Sequence, residues 1–289
     1  MNAPAIRRRA ENLVEGEYAF TARNFQQIAA FLRAESGIAL TEAKAQLVYS
    51  RLAKRLRKLG IPDFDQYCVY IETPDGAGER NEMLAALTTN VTRFFREPHH
   101  FEHLEQKVLP RLAHIAKAGG RVRIWSAACS SGEEPYSIAL TLLKVLPDAA
   151  RYDVRILATD IDPNVVAKAR AGVYSEEAVA PIAAALRERW LTREREGDDR
   201  RWRLKDEVRA LIAFKELNLI GNWPMRGKFD AIFCRNVVIY FEEETQGFLW
   251  NRFKSLLAAD GRLYIGHSER VDVAGYASDG LTIYKLGGG

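Results

Sequence analysis

The chain has 289 residues, of which 47% are hydrophobic and 28% charged, and its formal net charge is +4. This length predicts two domains, the larger of roughly 200 residues. The net charge is too small to indicate a nucleic-acid binder, and no apolar run approaches the ~18 residues of a membrane span. The first residues lack a secretory signal pattern, so a cytoplasmic protein without membrane insertion is expected. Three widely spaced cysteines argue against a disulfide framework or a cysteine-based zinc site.

Helical patterns fill the first third of the chain. Thr41 is expected to cap a helix that ends at Gly60, as capping rules predict. On this helix Leu52, Leu56 and Leu59 are predicted to share an apolar face. The opposite face is predicted to carry four basic residues, Arg51, Lys54, Arg55 and Lys58.

Beyond residue 121, apolar strand-like runs alternate with helical patterns, which predicts β-α-β units around a parallel sheet. Strands are expected at 122–127, 154–159, 211–216, 229–234, 262–266 and 281–286, and helices near 136–146, 164–171 and 245–257. An interruption at 174–209 predicts an inserted antiparallel β-subdomain with a turn at Gly197 and Asp198. The predicted division is a helical domain with a linker at 1–89 and an α/β domain at 90–289. Residues 74–78 are predicted to form a loop in or near the boundary.

A turn of small residues, A-A-C-S-S-G, joins the first of these strands to a helix that is expected to begin at Pro135. Small side chains let a ligand approach the backbone, and a helix start offers free N–H groups. Gly132 is the only glycine of this turn, so the dinucleotide fingerprint G-x-G-x-x-G is absent. Glu133 and Glu134 would attract a ligand ammonium, or they would serve as partners of the helix dipole. The turn alone leaves both interpretations open.

Further polar residues follow the ends of later strands. Asp160 lies where nucleotide-binding α/β folds place the acid that accepts both ribose hydroxyls. Asp162 is predicted instead to cap the helix that starts at Pro163. Arg235 and Asn236 follow the fourth strand at the edge that faces the ligand crevice. Arg235 could alternatively form an ion pair with a nearby acid.

The segment N-V-T-R-F-F-R-E-P-H-H-F at 90–101 fits no simple amphipathic pattern. His99 and His103 have the i, i+4 spacing of two zinc ligands, but the H-E-x-x-H carboxylate and a third ligand are missing, so no metal site is predicted. Pro98 is expected to start a helix whose N-terminus Glu97 serves. Three aromatic residues are predicted to pack at the domain junction, namely Phe94, Phe95 and Phe101.

Several ordered blocks together resemble one protein family. T-N-V-T-R-F-F-R-E-P-H-H-F is followed by S-A-A-C-S-S-G-E-E-P-Y-S-I-A, A-T-D-I-D, F-D-A-I-F-C-R-N-V-V-I-Y-F and G-H-S-E. The combination resembles the CheR-type chemotaxis receptor methyltransferases from about Phe20 to the C-terminus. The resemblance implies an α/β fold, with a class I (Rossmann-like) methyltransferase sheet, an inserted antiparallel β-subdomain and a preceding all-α domain. It also implies transfer of a methyl group from S-adenosyl-L-methionine to glutamate carboxylates of chemoreceptor cytoplasmic helices, with S-adenosyl-L-homocysteine as the product.

Site residues follow from the resemblance position by position. Asn90, Thr92 and Arg96 match family residues that touch the cofactor. Glu134 matches the acid that meets the methionine amino group, and Asp160 matches the acid that holds the ribose.

The remaining matches lie after the later strands. Asn218 and Leu219 match the pair beside the adenine, whereas Arg235 and Asn236 match other site positions. Tyr240 is expected near the place where the methyl group is presented. A glutamate carboxylate is already ionised at pH 7, so Arg96 and Arg235 are expected to position reactants rather than carry protons.

The predicted partner is a chemoreceptor helical bundle. The basic face of Arg51, Lys54, Arg55 and Lys58 suits acidic, glutamate-bearing helices, although a merely solvated helix face explains it equally well. The segment T-R-E-R-E-G-D-D-R-R-W-R has one glycine where family members that dock on a receptor's C-terminal peptide have several, which argues against such docking. Two rival interpretations are an RNA methyltransferase and a non-catalytic S-adenosylmethionine-binding regulator. Against the RNA enzyme, the fourth strand ends in C-R-N-V rather than an N-P-P-Y type sequence.

Overall fold

The computed structural model describes residues 12–196 and 199–287, with the side chains of residues 195, 196 and 199 left aside. The chain divides into two compact units, one that ends at Thr88 and one that begins at Thr89. Each unit has its own cluster of buried hydrophobic residues. Within the described residues, no helix has the length and apolar character needed to cross a membrane.

The first unit is a bundle of helices with a short two-stranded ribbon. Its elements are β1 (Asn12–Val14), β2 (Phe20–Thr21), α1 (Ala22–Ser36), α2 (Ala45–Leu59), α3 (Phe64–Glu72) and α4 (Ala77–Leu87). Helix α2 ends at a left-handed Gly60, as predicted. Its predicted cap was wrong, because Thr41 precedes a separate 3-10 turn and its side chain makes no capping hydrogen bond.

Two further predictions for this unit were wrong. Leu59 belongs to the last turn of α2 and is 38% exposed, so the helix has already turned away from the core there. Residues 74–78 form a 3-10 turn and the start of α4 rather than a boundary loop. The Thr73 hydroxyl accepts the N–H of Gly76 at 3.2 Å, and a Cβ at Gly76 would lie 2.1 Å from the Tyr70 carbonyl oxygen. Close packing, not chain flexibility, explains this glycine.

The predicted basic face of α2 is only partly exposed. Arg55 forms ion pairs with Glu79 at 2.6 Å and Glu82 at 2.8 Å. Arg51 donates hydrogen bonds to two carbonyl oxygens at the end of α4. Long arginine side chains on the flank of the helix therefore reach back to α4 and do not belong to a free basic surface. The exposed members of the predicted set are Lys54 and Lys58.

The second unit contains a seven-stranded sheet. Its strands are β3 (Val122–Ala127), β4 (Val154–Asp160), β8 (Ile212–Glu216), β9 (Phe229–Cys234), β10 (Leu257–Ile265), β11 (Tyr276–Gly280) and β12 (Ile283–Leu286). Their order in the sheet is β11-β12-β10-β9-β3-β4-β8. Neighbouring strands from β10 to β8 pair in parallel, whereas β11 and β12 form an antiparallel edge. The central strands are almost continuously apolar because helices cover both faces of a parallel sheet. Strand β11 was not predicted.

Helices flank this sheet and lead into its carboxyl edge. They are α5 (Pro98–His103), α6 (Leu109–Lys117), α7 (Glu133–Val145), α8 (Pro163–Ala171) and α12 (Glu243–Leu256). The predicted start of α7 at Pro135 was wrong, because the helix begins two residues earlier. Gly132, with φ 99°, makes the turn, and a Cβ there would lie 2.7 Å from the Tyr174 hydroxyl. Glu133 and Glu134 consequently stand in the first helical turn.

A small antiparallel sheet is inserted between β4 and β8. It comprises β5 (Val173–Ser175), β6 (Leu191–Glu196) and β7 (Asp199–Leu204) in the order β5-β7-β6, with the short helices α9 (Glu176–Val179), α10 (Ala184–Trp190) and α11 (Asp206–Arg209) beside it. The predicted turn at Gly197 and Asp198 lies outside the described residues. Trp202 anchors the insert, because its indole N–H donates to Glu176 at 2.8 Å.

Candidate active site

The strand order reverses beside β3, and this places a ligand crevice at the carboxyl edge of the sheet. From β3 the chain proceeds to β4 and β8 on one side and returns to β9 on the other. Ligands of open α/β sheets bind at such a switch point. Glu134 follows β3, Asp160 ends β4, and Arg235 follows β9. The N–H of Leu217 donates to the carbonyl of Asp160 at 2.9 Å, so Asn218 also comes to this edge.

The turn between β3 and α7 is held tightly by β4. Ala128 and Ser130 adopt positive φ angles of 64° and 48°, which are uncommon for residues other than glycine. The N–H of Cys129 donates to the Thr159 carbonyl at 2.8 Å, and the N–H of Ser130 donates to Asp160 Oδ2 at 2.8 Å. These bonds keep the strained turn in one conformation, with its small side chains at the crevice.

The Asp160 carboxylate is 6% exposed and lies at the centre of this side of the crevice. Its Oδ1 accepts the N–H of Asp162 at 3.1 Å, and its Oδ2 accepts the N–H of Ser130. Burial raises the pKa of Asp160, while these two backbone hydrogen bonds lower it. Because a carboxylate has about four lone-pair directions, Asp160 keeps acceptor capacity for donors such as the hydroxyls of a ribose.

Asp162 caps α8, as predicted, and also ties the 90–101 segment to this side. Its Oδ1 accepts the N–H of Asn164 at 2.9 Å, and its Oδ2 accepts from the Asn90 side-chain amide at 3.0 Å. The Ser130 hydroxyl donates to the Asn90 carbonyl at 2.9 Å. Asn90 is therefore fixed beside the turn after β3 and the end of β4.

A buried charge network occupies the β9 side of the crevice. The Arg235 side chain is 2% exposed, and its Nη1 donates to Glu134 Oε2 at 3.0 Å. Its Nη2 lies 3.2 Å from Glu97 Oε2 and donates to the Arg96 carbonyl. Glu134 Oε1 accepts the Ser126 hydroxyl at 2.7 Å. Arg235 thus forms an ion pair, which was one of the two interpretations of its sequence position. One of its partners is Glu134, which is predicted to bind the cofactor.

The network sets the charge state of its members. Burial raises the pKa of Glu97, but the Arg235 charge and hydrogen bonds from His267 outweigh it and lower the pKa to about 2. Burial raises the pKa of Glu134, against the opposing effect of Arg235. Burial, followed by the Arg235 charge, lowers the pKa of His100 to about 3. His100 is therefore neutral near pH 7, while Arg235 carries the positive charge.

Three groups near this network have the composition of a metal site. Glu97, His99 and His100 each place one ligand atom within 4.8 Å of the others. Glu97 Oε2, His99 Nε2 and His100 Nδ1 are buried without a hydrogen-bond partner. The Arg235 guanidinium, however, lies 3.2 Å from that same glutamate oxygen and would repel a divalent cation at short range. The electrostatics of the cluster disfavour a metal ion.

One prediction for the 90–101 segment was wrong, and another stays a prediction. Phe94 packs edge-to-face on Tyr174, with ring centroids 4.9 Å apart, and Phe101 stacks on Phe233 at 6.0 Å. Both belong to the core of the second unit, and their packing at a domain junction stays a prediction. Glu97 precedes α5 but makes no side-chain capping bond, because its left-handed backbone, with φ 57°, turns the carboxylate towards the charge network. Pro98 does start α5, as predicted.

Other predicted site residues lie at the same edge with partly exposed side chains. Arg96 donates from Nη1 to the Val91 carbonyl at 3.0 Å. Thr92 lies on the loop between these two residues, and Tyr240 ends a 3-10 turn after β9. Asn236 adopts a left-handed φ of 58°. Arg96 and Asn236 contact the charge network, and the individual roles of all four residues stay predictions.

The turn after β8 carries Asn218 and Leu219. Asn218 Oδ1 accepts the N–H of Ile220 at 3.1 Å, which closes the turn. The Leu219 carbonyl accepts from the Trp223 indole at 3.0 Å. The Arg252 guanidinium lies 3.7 Å above the Trp223 ring. These contacts hold the turn of Asn218 and Leu219 in place, and Trp223 was not among the predicted residues.

Two acidic residues of the site escaped prediction from the sequence. The sequence predicts that Glu97 serves a helix terminus, whereas its carboxylate pairs with Arg235. Glu269 belongs to the quoted G-H-S-E block, yet no role was assigned to it. Its position in a block that resembles a family pattern was the one available signal.

A mostly parallel sheet with acids after neighbouring strands and a small-residue turn before a helix defines a nucleotide-binding α/β domain. Comparison with protein families is more specific. Residues 23–88 match the model "CheR methyltransferase, all-alpha domain", and residues 90–278 match "CheR methyltransferase, SAM binding domain". The chain belongs to the CheR methyltransferase family.

Curated relatives agree with this assignment. The chain is 55% identical to a probable chemotaxis protein methyltransferase of Rhizobium etli, with 87% of this chain and 95% of the relative covered. It is 42% identical to chemotaxis protein methyltransferase 2 of Pseudomonas aeruginosa, with 93% and 95% covered. It is 40% identical to the chemotaxis protein methyltransferase of Escherichia coli, with 91% and 90% covered. The predicted family and fold are confirmed.

Proposed function

We propose that this protein transfers the methyl group of S-adenosylmethionine to glutamate side-chain carboxylates on the cytoplasmic helices of chemoreceptors. The family match and the printed names of the relatives support methylation in chemotaxis. The observation that carries the proposal at the site is the convergence of Glu134, Asp160 and Arg235 at one sheet edge. The products would be a glutamate methyl ester and S-adenosylhomocysteine.

The side chains at this edge fit the chemistry of the cofactor. Glu134 is a buried carboxylate in the first turn of α7 and suits an ammonium. Asp160 keeps acceptor capacity for the ribose hydroxyls. The turn of Asn218 and Leu219, with Trp223 behind it, suits the adenine. The loop and strand-end residues completing the cofactor site would be Asn90, Thr92, Arg96, Arg235 and Asn236.

The reaction requires positioning rather than proton transfer. An acceptor glutamate, with a reference pKa near ~4.3, is ionised at pH 7 and is already a nucleophile. S-Adenosylmethionine supplies a methyl group on a sulfonium, so the carboxylate oxygen gains an O–CH3 bond while the sulfur recovers the electron pair of the broken S–CH3 bond. The protein has to hold the reacting groups in line and limit their motion.

Arg96 and Arg235 divide this positioning task. The Arg96 side chain is partly exposed at the crevice edge, so we assign it to the incoming acceptor carboxylate. Arg235 is buried, with both terminal nitrogens engaged by Glu134, Glu97 and the Arg96 carbonyl. It therefore acts through these groups and does not touch the acceptor. Tyr240 would border the path of the methyl group.

Transfer of labelled methyl groups tests the function directly. Purified protein is incubated with S-adenosylmethionine carrying a radioactive methyl group and with chemoreceptor-bearing membranes, cellular RNA or buffer. We expect label in the receptor, released as methanol by mild base, because esters hydrolyse under these conditions. An Asp160→Ala variant should lose transfer.

Label in RNA, or base-stable label in protein, would favour a different methyltransferase. Cofactor binding without transfer to either substrate would favour a non-catalytic regulator.

The receptor contact is proposed for a smaller basic surface than the sequence indicated. Lys54 and Lys58 are exposed on successive turns of α2, whereas Arg51 and Arg55 are used inside the helical unit. Two exposed lysines can attract the acidic surface of a receptor helix and orient the encounter. Because only two basic residues are exposed, we expect a modest, salt-dependent contribution to receptor binding.

Charge reversal tests this contact. The double variant Lys54→Glu, Lys58→Glu should raise the KM for receptor roughly three- to tenfold at low salt, with kcat and cofactor affinity unchanged. A matched control reverses Lys117 and Lys168, which are exposed on helices of the other unit. Equal receptor kinetics for wild type and the first variant would remove α2 from the docking surface.

Docking on a receptor C-terminal peptide is not part of the proposal. In the described part of the inserted sheet, Arg203 pairs with Glu194 at 2.5 Å across β6 and β7, and the Arg193 guanidinium lies 4.8 Å from the Trp202 ring centroid. These charged side chains engage one another within the insert. That a single glycine disfavours peptide docking stays a prediction, because Gly197 lies outside the described residues.

A further inference from the structure

The Glu269 carboxylate accepts four backbone hydrogen bonds at the active-site edge of the sheet. Its Oε1 accepts the N–H groups of Val237 at 2.9 Å and Val238 at 3.0 Å. Its Oε2 accepts the N–H of Asn236 at 3.0 Å and that of Gly266. The residue is 4% exposed. All of its acceptor directions are used by the backbone, so this carboxylate has no capacity to contact substrate itself.

The segment held in this way carries predicted site residues. It begins at Asn236, whose left-handed φ of 58° is uncommon outside glycine. It continues into the 3-10 turn Val238–Tyr240, which leaves N–H groups at its start without partners of its own. Glu269 satisfies these groups from the loop after β10. A negative charge at this end of the turn is also favoured by the backbone dipoles.

The packing around the carboxylate leaves no spare space. A Cβ on Gly266 would lie 2.8 Å from Glu269 Oε2, 2.8 Å from the Asn236 backbone nitrogen and 2.5 Å from its side-chain nitrogen. The glycine therefore lets the loop after β10 approach the segment after β9 closely. Burial raises the pKa of Glu269, and the hydrogen bonds from Gly266 and Asn236 are the largest effects that lower it. The fully hydrogen-bonded carboxylate of Glu269 and the close approach at Gly266 both indicate that the segment after β9 is held in one position.

We propose that Glu269 is a positioning residue for methyl transfer, which caps the segment 236–240 and thereby sets the places of Asn236 and Tyr240. This inference rests on the proposed function and adds to it a residue outside the strand ends. Glu269 acts only through the backbone of the segment. Its loss should therefore affect the reacting geometry more than the binding of the cofactor parts that Glu134 and Asp160 hold.

The test compares Glu269→Gln with wild type. A glutamine offers an N–H2 group to two of the four backbone donors and so cannot accept from them. We expect kcat for receptor methylation to fall about 30- to 100-fold, while the Kd for S-adenosylhomocysteine changes less than about fivefold. Titration with S-adenosylhomocysteine gives the folded, binding-competent fraction and corrects kcat for any unfolded protein. Glu269→Asp, which keeps the charge, should recover part of the loss.

One further variant keeps the inference testable if Glu269→Gln folds poorly, and a double-mutant cycle adds a second test where Glu269→Gln folds. Gly266→Ala retains the Glu269 carboxylate but pushes it away from the segment 236–240, so it should reproduce the fall in kcat. A double-mutant cycle of Glu269→Gln with Tyr240→Phe should be non-additive, because one residue acts through the other.

The outcomes separate this inference from the proposed function. Wild-type kcat in folded Glu269→Gln, additive losses in the cycle, or a loss explained entirely by unfolded protein would each overturn the role of Glu269 and leave the proposed function intact. Absence of base-labile receptor methylation by the wild type would overturn the proposed function itself.

Discussion

Each unit of the protein contains an arginine that bridges two glutamates, and the two bridges differ in what they connect. In the helical unit, Arg55 on α2 pairs with Glu79 and Glu82, both on α4. In the methyltransferase unit, Arg235 pairs with Glu134 on α7 and with Glu97 before α5. Arg55 joins two regular helices. Arg235 joins the first turn of a helix to a loop with a left-handed backbone.

The surroundings of the two bridges show why similar chemistry serves different purposes. Glu79 has a further donor in the Tyr67 hydroxyl at 2.8 Å, so that bridge closes on the core of the bundle. Around Arg235, buried polar atoms of Glu97, His100 and Arg235 itself make no hydrogen bond in the described structure, although Glu97 Oε2 keeps its ion pair with Arg235. Unsatisfied buried groups are costly, and they persist where a site requires them. A buried ion pair by itself therefore does not indicate a site, whereas its position at strand ends and its incomplete hydrogen bonding do.

Removing the charge of Arg235 should have the largest effect on activity. Arg235→Met leaves Glu134 and Glu97 facing each other without a cation and frees the Arg96 carbonyl. Displacement of these groups by about 1 Å is enough to lower kcat/KM roughly 100-fold or more. Methyl-transfer kinetics, with the active fraction titrated by S-adenosylhomocysteine, measure the effect.

Two companion variants sharpen this result. Arg235→Lys keeps the charge but cannot bridge two carboxylates and a carbonyl at once, so it should recover little activity. Glu97→Gln combined with Arg235→Met removes a repelling charge and should cost less than the sum of the single changes. Full activity of a folded Arg235→Met enzyme would show that the Arg235 bridge, like the Arg55 bridge, is not required for activity.

Removing the charge of Arg55 should instead affect stability. Arg55→Met leaves the buried Glu79 with Tyr67 as a remaining partner, and loss of one member of a buried pair costs about 3–5 kcal/mol. Hydrogen exchange in α2 and α4 should become faster, while the Kd for S-adenosylhomocysteine and kcat at saturating receptor stay unchanged. Arg57→Met is the matched control, because its pair with Glu17 is largely exposed and should contribute below about 1 kcal/mol. A lower kcat of Arg55→Met at saturating receptor would contradict the distinction between the Arg55 bridge, which supports stability, and the Arg235 bridge, which supports activity.

Much of the second unit could be predicted from its sequence because local rules decide it. The buried strands are apolar runs, and the carboxyl ends of parallel strands converge, so Asp160 and Arg235 could be placed at one edge. The capping role of Asp162 could be predicted because the next residue, Pro163, favours the first position of a helix. These features depend on neighbours within a few residues or on one general rule of sheets.

Contacts between residues distant in sequence could not be predicted in the same way. Helical periodicity placed Arg55 on a polar face, but only the packing of α4 brings Glu79 beside it. No local pattern indicates that Glu97 turns away from the helix it precedes, since its left-handed backbone is held by contacts with the β9 end. Glu269 reaches its partners through the approach of two loops at Gly266. Tertiary packing decides each of these side chains.

The stability of the fold at acid pH should sharpen the comparison further, because His100 lies near Arg235. Burial, followed by the Arg235 charge, lowers the pKa of His100 to about 3. A lowered pKa in the folded state means that the unfolded chain binds the proton first, so this contribution is present above pH ~6.5 and lost as the pH falls towards 3. Between pH 7 and 5, where Glu97 stays mostly ionised, the loss should amount to about 2 kcal/mol. Urea unfolding at pH 7, 6 and 5 measures it, and His100→Gln should reduce the pH dependence by that amount while His114→Gln, at an exposed site, should not. An unchanged pH dependence in His100→Gln would show that the histidine beside Arg235 is not held neutral in the folded state.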